Sequence, residues 1–130
     1  MKAFLVDPEK NITQVVSIED DVQKWYGMLR CDIVEVARRR VGGYSFDFIC
    51  DEEGMFKRDL RVSVVDEYGC AMIVGACLLL TEEEGSDGEV KFDGLSEDEI
   101  KVLHDHIGIV EVEMRDGRRR SNIAIVGVSY

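Results

Sequence analysis

The sequence predicts an α+β domain on a mainly antiparallel sheet, with two short helices and a C-terminal hairpin. Three observations carry that prediction. Apolar residues alternate with polar ones in several segments, the spacing of half-buried strands. Only two segments, 17–29 and 96–107, place apolar residues at helical spacing behind a capping residue. Turn dipeptides such as Gly42-Gly43 and Asp116-Gly117 separate the strand candidates. Runs of strands with few, segregated helices define an α+β arrangement, and 130 residues fit a single domain over 1–130.

The first strand, Lys2–Val6, closes at Asp7-Pro8 and pairs with Ile12–Val16 across a turn at Lys10-Asn11. Ser17 is the expected N-cap of the first helix, with Glu19, Asp20 and Asp21 in its positive first turn. Ile18, Val22, Trp25 and Leu29 form its apolar stripe. Gly27 costs that helix about 1 kcal/mol against alanine, enough to bend it or end it early. From Ile33 the period becomes two. Ile33–Val36 reads as a strand, Gly42-Gly43 as a break, and Tyr44, Phe46 and Phe48 alternate with Ser45 and Asp47.

Asp51-Glu52-Glu53-Gly54 is a polar turn. Leu60–Val65 and Met72–Leu80 are further strands, with Tyr68-Gly69 between them. The second lacks alternation, as a central strand covered on both faces does. Glu82–Gly94 follows as an acidic, glycine-punctuated loop. Ser96-Glu97-Asp98-Glu99 is a capping box opening a helix whose Ile100, Leu103 and Ile107 face the core, with Gly108 as its stop. Ile109–Met114 and Ser121–Val128 form the terminal hairpin around Asp116-Gly117.

Charge is concentrated. Of a net charge of −11, the stretch from Glu82 to Asp105 holds ten acids against Lys91 and Lys101, a balance of −8. Such a field repels nucleic acid and anionic membrane and favours cations or a basic protein surface. The apolar run Ala71–Leu80 is too short to cross a bilayer, which takes about 20 residues. The N-terminal apolar run is too short for a secretion signal. Cys31, Cys50, Cys70 and Cys77 form no C-x-x-C pair and read as reduced thiols. These features predict a soluble protein of the host cell cytoplasm.

The candidate partner-binding residues are Glu82, Glu83, Glu84, Asp87, Glu89 and Asp93. The alternative is a ligand site at two arginine triplets, Arg38-Arg39-Arg40 and Arg118-Arg119-Arg120, each beside a glycine-marked turn where guanidinium forks suit phosphate. The plainer account is that those arginines pair with the acidic stretch or simply solubilise strand ends. Asp87, Glu89 and Asp93 fail the twelve-residue calcium-loop register. His104 and His106 lie two apart, so on a helix they point apart, and they suit its negative end better than a metal. Asp51, Glu52 and Glu53 read as a turn rather than a hydrolytic carboxylate pair. Cys50 or Cys77 would need a histidine alongside to act as a nucleophile. No catalytic residue, cofactor or metal is predicted.

The order of several blocks resembles a known family. These are the strand ending in Asp7-Pro8, the acid-rich short helix, and Tyr44-Ser45-Phe46-Asp47-Phe48-Ile49-Cys50-Asp51-Glu52-Glu53-Gly54. Met55-Phe56-Lys57-Arg58, Ile73-Val74-Gly75-Ala76 and Leu95-Ser96-Glu97-Asp98-Glu99-Ile100 complete the series. The chain is similar over 1–108 to the domain of unknown function 3846 family of small phage and mobile-element proteins, with 109–130 an added hairpin. The resemblance implies an accessory role in a phage or mobile element and transfers no catalytic residue.

The expected function is therefore a non-enzymatic interaction protein. Its acidic segment would engage the basic surface of a host protein by charge mimicry, inhibiting a host defence system. The alternative is a protein that sequesters a phosphorylated small molecule, such as a nucleotide signal, at the arginine turns. A housekeeping factor of mobile-element replication is the third reading. The apolar hairpin residues Ile109, Val110, Ile123, Ile125 and Val126 further predict a homodimer through the hairpin or sheet edge.

Overall fold

The structure, a computed structural model, describes residues 1–57, 60–113 and 116–130. It is an α+β fold of two sheets. The first sheet runs in the order β2 (Ile12–Ser17), β1 (Lys2–Asp7), β7 (Cys77–Glu84), β4 (Tyr44–Asp51), β3 (Val34–Val41), all antiparallel. The second runs β6 (Ala71–Val74), β5 (Val62–Asp66), β10 (Arg119–Val128), β9 (Ile107–Glu113), and only its β5–β10 pair is parallel. Helix α1 spans Val22–Leu29 and α2 spans Glu97–Asp105.

The two faces of the first sheet follow from side-chain alternation. One face supplies Ala3, Ile49, Leu78 and Leu80, which pack against Trp25 and Leu29 of α1. The other supplies Phe4, Val6, Phe46, Phe48 and Leu79, which pack with Val64, Ile73, Ile125 and Val128 of the second sheet and Leu103 of α2. Backbone bonds of 2.7 and 2.9 Å between Arg40 and Ser129 tie β3 to the chain just after β10.

Several local expectations change. Ser17 is not a cap; it pairs with Lys2 as the last residue of β2, and ladder bonding takes precedence. Asp21 caps α1 by accepting from the Gln23 amide at 3.1 Å, so Glu19 and Asp20 precede the helix. Ile18 is buried, but in the connection between β2 and α1. Gly27 lies within the helix, which ends at Arg30 in the left-handed region at φ +53°. That conformation is uncommon for a side-chain-bearing residue. The Arg30 guanidinium forks onto buried Asp7 through bonds of 3.0 and 2.9 Å.

β3 is longer than the sequence predicts, so Arg38, Arg39 and Arg40 lie inside a strand and not beside a turn. Gly42 and Gly43 form the two-residue connection to β4 with φ of +55° and +86°, the positive values that a type I′ hairpin needs. The expected strand Met72–Leu80 is two strands in different sheets. Gly75, at φ +91° with its amide bonded to the Arg61 carbonyl at 2.8 Å, makes the break between β6 and β7. The inner half of β7, Cys77–Leu80, is the central strand covered on both faces.

The expected acidic loop is largely a hairpin. β7 continues through Glu84 and pairs with β8 (Val90–Asp93). The α2 capping box forms as predicted, with Ser96 and Glu99 bonded reciprocally at 3.2 and 2.8 Å. The stop differs: α2 ends at His106, and Gly108 lies in β9, where a Cβ would stand 2.9 Å from Val126 Cγ1. Ile107 opens β9. The C-terminal hairpin pairs from Arg119 and Glu113 to Ile125 and Ile107. Arg58 and Met114, which the sequence reading used, lie outside the described residues.

Candidate partner-binding surface

The β7–β8 hairpin is a two-stranded extension of the first sheet. β1 and β4 pair with β7 only as far as Leu79 and Leu80, and from Thr81 to Glu84 its ladder partner is β8. The turn closes through Gly85 N–H donating to the Glu89 carbonyl at 2.7 Å. Asp87 accepts from the Glu89 amide at 3.0 Å and Asp93 from the Gly94 amide at 2.8 Å, so these two carboxylates also shape the chain locally. Glu89 lies 3.9 Å from Lys91. All six predicted acids therefore fall on one element or at its base.

Register divides their faces. Glu82 pairs with Phe92 and Glu84 with Val90, so these four share the α1 side of the hairpin, while Glu83 stands opposite Lys91. On the α1 side a cavity of about 520 Å³ opens. Its apolar wall is Val36, Val90 and Phe92, and Asp20, Glu82, Glu89 and Lys91 complete the lining. Phe92 packs edge-on against Trp25, with ring centroids 5.5 Å apart.

Behind Glu82 lies a charge cluster built on one buried acid, Asp47, that sequence reading missed. Arg38 and Asp47 are direct partners across β3 and β4, and the guanidinium donates to Asp47 Oδ1 at 2.9 Å. The same Arg38 nitrogen lies 3.3 Å from Glu82. Asp47 is fully buried, and in ionised form its Oδ2 has no partner among the described residues. Burial pushes its pKa up to about 6, with the neighbouring Glu82 carboxylate adding to the rise and Arg38 opposing it. Two carboxylates thus share one guanidinium, and a proton between them supplies the missing donor. Asp47 looked like an ordinary polar residue of an alternating strand; only the registers of three strands bring it to Glu82.

The arginine triplets do not converge. Arg40 meets Ser129 past the end of β10, whereas Arg118–Arg120 stand at its start, about 30 Å away at the rise of a strand. Arg38 is engaged by Asp47 and Glu82, and Arg39 stacks 4.3 Å from the Tyr130 ring. Arg118 lies 3.6 Å from Asp116, and Arg119 lies 3.9 Å from Glu111.

The other candidates are engaged elsewhere. His104 packs edge-on against Phe4, and His106 Nδ1 bonds the Val102 carbonyl at 2.8 Å. Among the described residues no three His, Cys, Asp or Glu side chains gather as a metal site. Asp51 accepts from the Glu53 amide and pairs with Lys57. Burial raises the Cys50 thiol strongly, helped by neighbouring Cys77 and Glu35, and pushes Cys77 up to about 12. Thiols so disfavoured as thiolates are poor nucleophiles.

Fold and surface define an α+β protein with an acidic hairpin extending from one sheet. Residues 1–108 match the model of the domain of unknown function family (DUF3846), and the chain belongs to that family. No curated protein and no solved structure matches the chain. Among the described residues no helix is long and apolar enough to cross a membrane.

Proposed function

We propose that this is a non-enzymatic interaction protein, an accessory factor of a phage or mobile element. In this reading it covers the basic, nucleic-acid-binding surface of a host defence protein with its β7–β8 hairpin. The observation that carries the reading is the collection of Glu82, Glu83, Glu84, Asp87, Glu89 and Asp93 on one short two-stranded arm, with Lys91 as its lone cation. A rigid ribbon presents like charges at fixed spacing, which steers a basic partner and repels nucleic acid.

Sequestration of a phosphorylated nucleotide is the weaker alternative, because the arginine triplets lie apart and Arg38 already serves two carboxylates. A pull-down from host lysate, run beside a variant carrying Glu83→Gln, Glu84→Gln, Asp87→Asn and Glu89→Gln, separates the two. Charge mimicry predicts capture of basic nucleic-acid-binding proteins that is lost in the variant. Equal capture by both proteins, or nucleotide found by mass spectrometry on both, contradicts it.

A further inference from the structure

Resting on the reading above, we infer that the cavity between β3, the β7–β8 hairpin and the segment before α1 receives one arginine or lysine side chain of the basic partner. The aliphatic stem lies against Val36, Val90 and Phe92, and the cation reaches Glu82, Glu89 and Asp20.

Three features lead there. First, the lining combines the two chemistries that such a side chain carries. Val36 and Val90 are 48% and 57% exposed and, with Phe92, give the cavity an apolar wall. Long basic side chains bury their stems on such surface while keeping the head among polar groups. Second, three carboxylates line the cavity against one cation, Lys91, which stands 3.9 Å from Glu89. An anionic ligand is disfavoured there and a cation is attracted.

Third, the wall behind Glu82 holds one cation for two acids. Glu82 and buried Asp47 share Arg38 alone, and Asp47 Oδ2 is buried without a donor while ionised. A guanidinium or ammonium at Glu82 relieves the repulsion between the two carboxylates, so Asp47 ionises more readily in the complex. The groups facing Asp47 are Arg38 from β3 and Glu82 from β7, and the incoming cation joins them from the open side.

The cavity carries its own reporter. Trp25 is the sole tryptophan, and it touches Phe92 in the cavity wall. Nα-acetyl-arginine methylamide should therefore change Trp25 emission saturably and shift the amide resonances of Val36, Val90 and Phe92. Nα-acetyl-norleucine methylamide, which keeps a stem and lacks the charge, should not saturate. Glu82→Gln and Val90→Ser should each weaken the arginine probe by about fivefold, whereas Glu67→Gln on the β5–β6 turn should leave it within about twofold.

Octa-arginine at low salt distinguishes failure of this inference from failure of the broader reading. If octa-arginine binds but the single-arginine probe gives non-saturating shifts spread over both hairpin faces, the cavity inference is overturned and charge mimicry stands. Equal weakening by Glu67→Gln and Val90→Ser also overturns the cavity. If octa-arginine itself does not bind, both fall.

Discussion

Arg38 and Asp47 stand directly opposite one another on β3 and β4, joined by a 2.9 Å hydrogen bond, with Asp47 wholly buried and Glu82 3.3 Å from the same guanidinium nitrogen. The stoichiometry of that cluster, two acids to one base, gives the protein an unusual response to pH.

Asp47 has its folded pKa raised to about 6 from the ordinary 3.8, so the native state holds a proton that the unfolded state releases. Stability therefore rises as pH falls from about 7 to about 5, by an amount on the order of 1 kcal/mol. Asp47→Asn imitates the protonated form, accepting from Arg38 and donating to Glu82. It should raise the melting temperature at pH 7 and flatten its dependence above pH 5. A melting temperature lowered as far as by Asp47→Ala would show that the ionised carboxylate is the stabilising form.

Asp7 works in the opposite sense and at lower pH. Burial raises its pKa, but the Arg30 bonds and the Lys10 amide outweigh that and hold it below the usual 3.8. Its contribution is complete above that value and is lost as pH falls through the lowered one. Asp7→Asn should cost about 1–2 kcal/mol at pH 7 by denaturant titration, because the fork on Arg30 is broken. A cost no larger than that of an exposed Asp→Asn change would deny the fork a structural role.

The four thiols should separate sharply under a disulfide reagent at pH 8. Cys70 is exposed, whereas Cys31, Cys50 and Cys77 are buried with raised pKa values. One equivalent should react in the native protein and four in denaturant. Rapid native labelling of Cys50 or Cys77 would reopen them as reactive groups.

The arginine triplets should differ in their stability effects. Arg118 and Arg119 are largely exposed in loose ion pairs, so changing these two to glutamine should move stability by no more than about 0.5 kcal/mol. Arg38→Gln should cost at least about 1 kcal/mol, since it leaves Asp47 and Glu82 without their base. Equal effects would deny the pairing of Arg38 with Asp47 and Glu82 a structural role.

β9 is an edge of the second sheet, with Ile109 66% exposed on it. We predict an antiparallel homodimer through this edge, which light scattering should detect at high micromolar concentration and Ile109→Lys should disperse. A monomer for the parent protein at that concentration removes the idea.

Local chemistry made much of the fold legible. The Ser96–Glu99 capping box and the Gly42-Gly43 hairpin depend on neighbours a few residues away, whereas the alternation of Tyr44, Phe46 and Phe48 located β4 but not its burial, since Phe46–Asp51 are covered on both faces. What stayed hidden depends on distant partners. Ser17 has every local mark of a cap, yet pairing with Lys2 makes it a strand end. Gly75 looked like an interruption in one apolar run, because nothing local says that its two sides enter different sheets. The acids of 82–93 were legible as charge but not as a ribbon, since the pairing of Glu82 with Phe92 crosses a turn. The Asp47 cluster needs two registers at once, β3 on β4 and β4 on β7, and no sequence pattern carries it.

The central claim is that the hairpin's charges are the working surface, and octa-arginine affinity measured across salt tests it most directly. Wild-type protein should bind at about 0.05 M salt and lose affinity steeply by about 0.5 M, as screening shortens the reach of exposed charge. The variant carrying Glu83→Gln, Glu84→Gln, Asp87→Asn and Glu89→Gln should fold normally, because its amides preserve the turn acceptors and touch no core residue. Its affinity should be at least about tenfold weaker at low salt and nearly independent of salt. Equal affinity of the two proteins at every salt concentration would contradict the account.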